Sequence, residues 1–205
     1  MELLVRPARP QDTAAGLLYE SARPYYDAYA GDEARARALL GALYPRRDHA
    51  ASFEVCAVAE VAGAPVGVLA GFPVAEGDRL ARRFVSLTFT LLPPWRWPTV
   101  LRHLRAAGAV APRAPVGAWY VDALAVDPAW QRRGVATRLL AEAEANAARA
   151  GLRGVALDTG LANAPARALY EAYGFRERDI RRAPDERTAR MIGGPGFVSY
   201  FKATT

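Results

Sequence analysis

Cysteine, histidine and lysine are scarce in this 205-residue chain, and each scarcity closes off a class of chemistry. Cys56 is the only cysteine, so no intrachain disulfide can form; a reducing compartment suits such a chain, and the expected location is cytoplasmic. Cys56 lies in a strand-like run, where the reading is a small core residue rather than a nucleophile. His49 and His103 have no Cys or His cluster around them, so no metal site, structural or catalytic, is expected. Lys202 is the only lysine among 27 basic residues, which leaves the net charge of +6 almost wholly to arginine. Those arginines are spread along the chain without forming a tail or block. With the abundant Ala, Gly and Pro they indicate biased composition, and nucleic acid is not an expected partner. No basic-then-apolar leader opens the chain, which argues against secretion.

Apolar residues make up 52% and charged residues 23%, an ordinary soluble composition that supports one domain, 1–205, with a real core. Residues 55–75 have roughly the length of a membrane span. Glu60 and the break Ala62-Gly63-Ala64-Pro65 make them two strands, 53–61 and 66–71, joined by a turn, and no membrane partner is expected. A first strand at 3–6 precedes one or two helices between 12 and 43. After the hairpin comes a helical insert at about 77–108, in which Trp95 and Trp97 lie between prolines as a rigid turn that buries aromatic surface. Strands are expected at 119–126, 154–159, 175–180 and 197–202, with residues 181–196 as a loop. The alternation makes this an α/β chain with a mixed, mostly antiparallel central sheet flanked by helices.

Two segments carry chemistry. In the first, Gln131-Arg132-Arg133-Gly134-Val135-Ala136-Thr137 joins the 119–126 strand to a helix whose Ala136, Leu139, Leu140, Ala143 and Ala147 recur at helical spacing. That junction aims backbone N–H groups at one spot at the positive end of a helix, a place for phosphate, and Gly134 and Ala136 leave the backbone open to an anion. In the second, Asn163 suits an N-cap, Pro165 the first turn and Gly174 the left-handed end of a helix carrying Ala166, Leu169, Tyr170 and Tyr173 on one face.

Together these segments resemble the GNAT superfamily of acetyl-CoA-dependent N-acetyltransferases. Gln131, Gly134 and Ala136 fit its [Gln/Arg]-x-x-Gly-x-[Gly/Ala] loop. Asn163, Ala166, Leu169, Tyr170, Gly174 and Phe175 fit its Asn-x-x-Ala-x-x-Leu-Tyr-x-x-x-Gly-Phe helix. The match runs over about 119–180, with weaker support from the opening 3–12. The resemblance implies acetyl-CoA as co-substrate, its pyrophosphate held by the N–H groups of residues 131–137 with charge added by Arg132 and Arg133. It also implies that Leu124, Ala125 and Val126 pair with the pantetheine arm, with the Val126 N–H as oxyanion donor. Tyr170 becomes the acid that protonates the departing thiolate, against the alternative of a packed aromatic ring. Asn163 bonds the cofactor, or only caps its helix.

An attacking ammonium must lose a proton, and Asp122 on the central strand is the first choice of base, with Asp158 behind it; a structural carboxylate paired with an arginine is the competing account of Asp122. Tyr19, Tyr25, Tyr26 and Tyr29, with Glu20 and Asp27, form an aromatic stretch for the acceptor or for the core. The acceptor is an amine, on a small molecule or on a protein or peptide, and the assembly a monomer or homodimer. A non-catalytic acyl-CoA sensor or interaction module is the competing function.

Overall fold

The computed structural model describes residues 2–204. Its centre is a seven-stranded sheet in the order β1-β2-β3-β4-β5-β7-β6. The strands are β1 (Leu4–Pro7), β2 (Cys56–Val61), β3 (Ala64–Pro73), β4 (Trp119–Val126), β5 (Gly154–Gly160), β6 (Arg176–Arg182) and β7 (Gly196–Ala203). Only β4 and β5 pair in parallel; every other neighbour is antiparallel. The mixed, mostly antiparallel sheet is therefore as the sequence led one to expect.

Helices cover both faces. On one, α1 (Ala15–Ser21), α2 (Arg23–Ala30) and α3 (Glu33–Leu43) bury Leu18, Tyr29, Leu39, Leu40 and Leu43 against Val58, Val68, Ala70 and Ala123. On the other, α6 (Val135–Arg149) buries Val135, Leu139, Leu140, Ala143 and Ala147 against Leu69, Val121, Val155 and Leu157. Cys56 is buried in the first of these cores and its thiol is pushed up by loss of water, as befits a packing residue.

Several expectations need correction. The segment between 12 and 43 holds three helices, because Gly31 takes a left-handed φ of 107° and Asp32 caps the next helix through the Arg35 N–H. The first hairpin strand begins at Cys56, Phe53–Val55 being a 3-10 turn capped by Ser52. The helical segment is two helices, α4 (Val74–Leu91) and α5 (Trp97–Val110), so it is wider than 77–108 at both ends. Between them, Pro94–Arg96 forms a 3-10 turn that leaves Trp95 76% exposed, so the turn does not bury its first tryptophan. Finally, residues 181–196 are more than a loop. Asp185 accepts from the Thr188 N–H and starts α8 (Glu186–Ile192), which packs on α2 and α5.

Candidate active site

β4 and β5 part company in mid-strand. Their parallel rungs are Trp119–Val155, Tyr120–Ala156 and Val121–Leu157, and none follows. Against its other neighbour, β4 pairs Val121 with Gly71 and Ala123 with Ala70, so Asp122 is the extra residue of a β-bulge. A bulge bends the strand and re-aims side chains. Here Val121 packs toward α6 while Ala123 packs toward α1–α3, although simple alternation would put both on one face.

Asp122 faces a cavity of about 580 Å³ that opens where the strands separate. Its walls come from α2 (Tyr25, Tyr26, Tyr29), α4 (Phe84), α5 (Leu104) and the start of β7 (Phe197). Asp158 of β5 and Tyr170 of α7 (Ala164–Ala172) line the same space. The Asp122 side chain is open to the cavity, and the protein packed around that cavity takes away part of its bulk solvation. That desolvation, with the charge of Asp158 second, raises its pKa to about 7. Asp158 is also raised by burial, and the Tyr120 hydroxyl, which donates to its Oδ1, holds it back. Tyr170 is 6% exposed, with its ring against Phe175 and Tyr200; burial first, then Asp158 and Tyr200, raises its pKa and keeps the phenol protonated.

The loop after β4 lies outside this cavity. Arg132 at φ 61° and Gly134 at φ 78° take left-handed conformations and swing the chain into α6. Among the described residues, no backbone N–H from Arg132 to Thr137 makes a well-formed bond to a protein acceptor; the first to do so is Arg138, on Gly134 O at 3.0 Å. Bare N–H groups at the start of a fifteen-residue helix form an anion site. A Cβ on Gly134 would meet nothing within 4 Å, so the space in front of it is open. Arg132 and Arg133 are exposed, the latter with its guanidinium 5.0 Å from the Trp130 ring centroid. Gln131 donates through Nε2 to Val126 O at 3.1 Å, tying the loop to the end of β4.

The fold thus brings Asp122, Leu124, Asn163 and Tyr170 together around the cavity, while Ala125, Val126, Gln131, Arg132, Arg133, Gly134, Val135, Ala136 and Thr137 continue along β4 and its loop. Asn163 caps α7 through the Ala166 N–H at 3.3 Å and donates to Thr159 Oγ1 at 3.2 Å, so capping occupies part of its capacity. Of the aromatic stretch, Tyr25, Tyr26 and Tyr29 reach the cavity. Tyr19 does not: it is buried with its hydroxyl on Asp27 at 2.8 Å, which takes both residues away from any acceptor. Sequence reasoning missed Tyr120, Phe197 and the Gly193-Gly194-Pro195 turn as wall residues; the Gly-Gly-Pro run marked a turn but not what the turn would face.

The family model described as the acetyltransferase (GNAT) family matches residues 17–175 of the chain. No curated protein sequence matches it significantly. Among solved structures it is similar to an N-acetyltransferase from Staphylococcus aureus Mu50, with 16% identity, 97% of this chain and 100% of that chain covered, and a TM-score of 0.69. It is similar also to a mutant agmatine N-acetyltransferase in its apo form, at 20% identity, 98% and 100% coverage and a TM-score of 0.61. At these identities the likeness is one of fold.

Proposed function

The chain belongs to the GNAT family of acetyltransferases, and from that premise we propose that it moves the acetyl group of acetyl-CoA to a primary amine by direct attack in a ternary complex. The observation that carries this reading is the meeting of Asp122, Tyr170 and the unpaired length of β4 at the fork between β4 and β5.

Acetyl-CoA supplies an activated acyl thioester. The residues present fit it: the free N–H groups from Arg132 to Thr137 suit a pyrophosphate, with Arg132 and Arg133 adding charge. Beyond Val121 the β5-facing edge of β4 has no strand partner, so those main-chain groups of residues 124–126 that point away from β3 can pair with an amide-bearing arm, apart from Val126 O, which accepts from Gln131. Asp122 takes the first proton from the acceptor ammonium and passes it to solvent, and its pKa of about 7 suits that exchange at neutral pH. Tyr170 Oη gives a proton to the departing sulfur. As the C–N bond forms and the C–S bond breaks, the nitrogen loses its second proton to Asp122, which has released the first to solvent, and exchange with solvent restores the Tyr170 hydroxyl.

A thermal melt with acetyl-CoA, CoA and ATP tests the donor half. Ligand at about 100 times its dissociation constant stabilises the fold by about 2.7 kcal/mol, and the reading requires a rise with the first two ligands and not with ATP. Thiol release from acetyl-CoA in the presence of amines tests the transfer half. Binding without release across amines and peptides would make the chain an acyl-CoA sensor.

A further inference from the structure

Charge is distributed unevenly over the cavity wall. Asp122 and Asp158 stand together where the strands part, with Tyr120 donating to Asp158. At the α1–α2 end, Glu20 and Arg23 are already committed to ion pairs with Arg37 and Glu33. The side formed by α4 and α5 presents Ala81, Phe84, Val85, Leu104, Ala107 and Ala111, and so offers no charged or hydrogen-bonding side chain at all.

We propose that the acceptor is a small primary monoamine with an apolar, ring-sized body: its ammonium sits at Asp122 and Asp158, and its body fills the aromatic space toward α4 and α5. This rests on the amine-acetylation reading above and names the substrate class for the same site. Two neighbouring carboxylates in a recess are relieved by a proton or a cation, and an ammonium at their mouth supplies the cation. Tyr25 and Tyr26, half-buried in that wall and close enough to Asp122 to sense its charge, favour a cation at the carboxylates and an aromatic or apolar group beside it. The volume of about 580 Å³ lies within the range of about 300–1,000 Å³ typical of small-molecule sites, and the acetyl end of the donor must share it.

The same wall selects against the other amines. A diamine would carry its second charge onto alanine, leucine and phenylalanine, stripped of water and without a partner. Glu20, which already pairs with Arg37, stands at the α1–α2 end of the cavity and not along this wall. A peptide acceptor that reached the α4–α5 side would bring main-chain amides against side chains that cannot bond them.

Thiol release from acetyl-CoA by the full chain is measured with 2-phenylethylamine and isoamylamine, with agmatine and putrescine, and with peptides bearing a free N-terminus or a lysine. In parallel, binding of each amine to the CoA-saturated protein is measured by calorimetry. The proposal expects kcat/KM for the apolar monoamines to exceed that for diamines and peptides by at least on the order of 100-fold, as the cost of stripping an unpartnered charge of water implies. Leu104→Glu, which puts a carboxylate on the apolar wall, should shift the preference toward agmatine. Higher turnover of a diamine or peptide by the unaltered chain overturns the proposal. If no amine releases thiol yet the monoamines bind more tightly than the diamines, the substrate class stands and the transfer reading falls. Failure of every monoamine to bind overturns the substrate class whatever the turnover.

Discussion

Asp122 and Asp158 occupy matching positions on two parallel strands, each one residue beyond the last rung that joins them, Val121–Leu157. Neighbouring carboxylates on paired strands would ordinarily repel one another for no benefit. Placed where the sheet opens into a cavity, Asp158 raises the affinity of Asp122 for a proton, and the pair together attracts a cation.

Asp122→Asn should lower kcat/KM by about 10²–10⁴, the usual contribution of a positioned acid or base. In the unaltered chain, kcat/KM should rise with pH up to about 7, where Asp122 ionises, and the variant should lose that limb. A pH–rate profile of both proteins checks this; an unchanged limb would assign it to another group.

The same substitution should raise stability at high pH. The folded pKa of Asp122, about 7, lies above its unfolded value of 3.8, so the folded state holds a proton that the unfolded state releases. That contribution is fully present below 3.8 and is lost as pH rises through about 7. The uncharged variant escapes the loss. Its Tm should therefore exceed that of the unaltered chain by more at pH 8 than at pH 4, by an amount reduced by the water lining the cavity.

Tyr170→Phe should cut turnover while leaving both Tm and acetyl-CoA affinity nearly unchanged. The ring keeps its contacts with Phe175 and Tyr200, and the hydroxyl has no protein partner to lose among the described residues. Steady-state kinetics beside a thermal shift separates the two effects. A full-rate variant would mean that water or another group protonates the sulfur.

Gly134→Glu should abolish the thermal shift given by acetyl-CoA, whereas Gly134→Ala should lower Tm but keep the shift. Both introduce a side chain at φ 78°, a left-handed conformation that costs roughly 1–2 kcal/mol outside glycine. Only glutamate adds negative charge in front of the free N–H groups. Equal retention of the shift in both would remove the loop from the phosphate site.

Gly193→Ala should damage the acceptor side selectively. A Cβ there would lie 2.4 Å from the carbonyl of Pro24, at φ 76°, so α8 could not keep its seat on α2. Tm should fall, on the order of 2–4 °C for each kcal/mol lost, and acceptor KM should rise with acetyl-CoA binding retained. Loss of both ligands together would contradict a division between the two halves of the site.

The α/β order, the loop that precedes α6 and the α7 motif are legible in the chain, because each depends on local rules. Gly134 sets a left-handed turn, alanines and leucines at helical spacing set α6, and Asn163 with Pro165 sets the start of α7. Adjacent signals of this kind read directly from the chain. The site those pieces surround is set by contacts between distant elements. A bulge at Asp122 is invisible to a period of two residues, since it exists only against Ala70 and Gly71 on β3. The fork, likewise, is a property of two strands more than thirty residues apart, not of either one. Helix α8 and the glycine turn after it look like loop in the sequence because seven residues with one buried position give almost no periodicity. Their place as a cavity wall follows from packing on α2 and α5, and so does the apolar face that α4 and α5 present to the carboxylates.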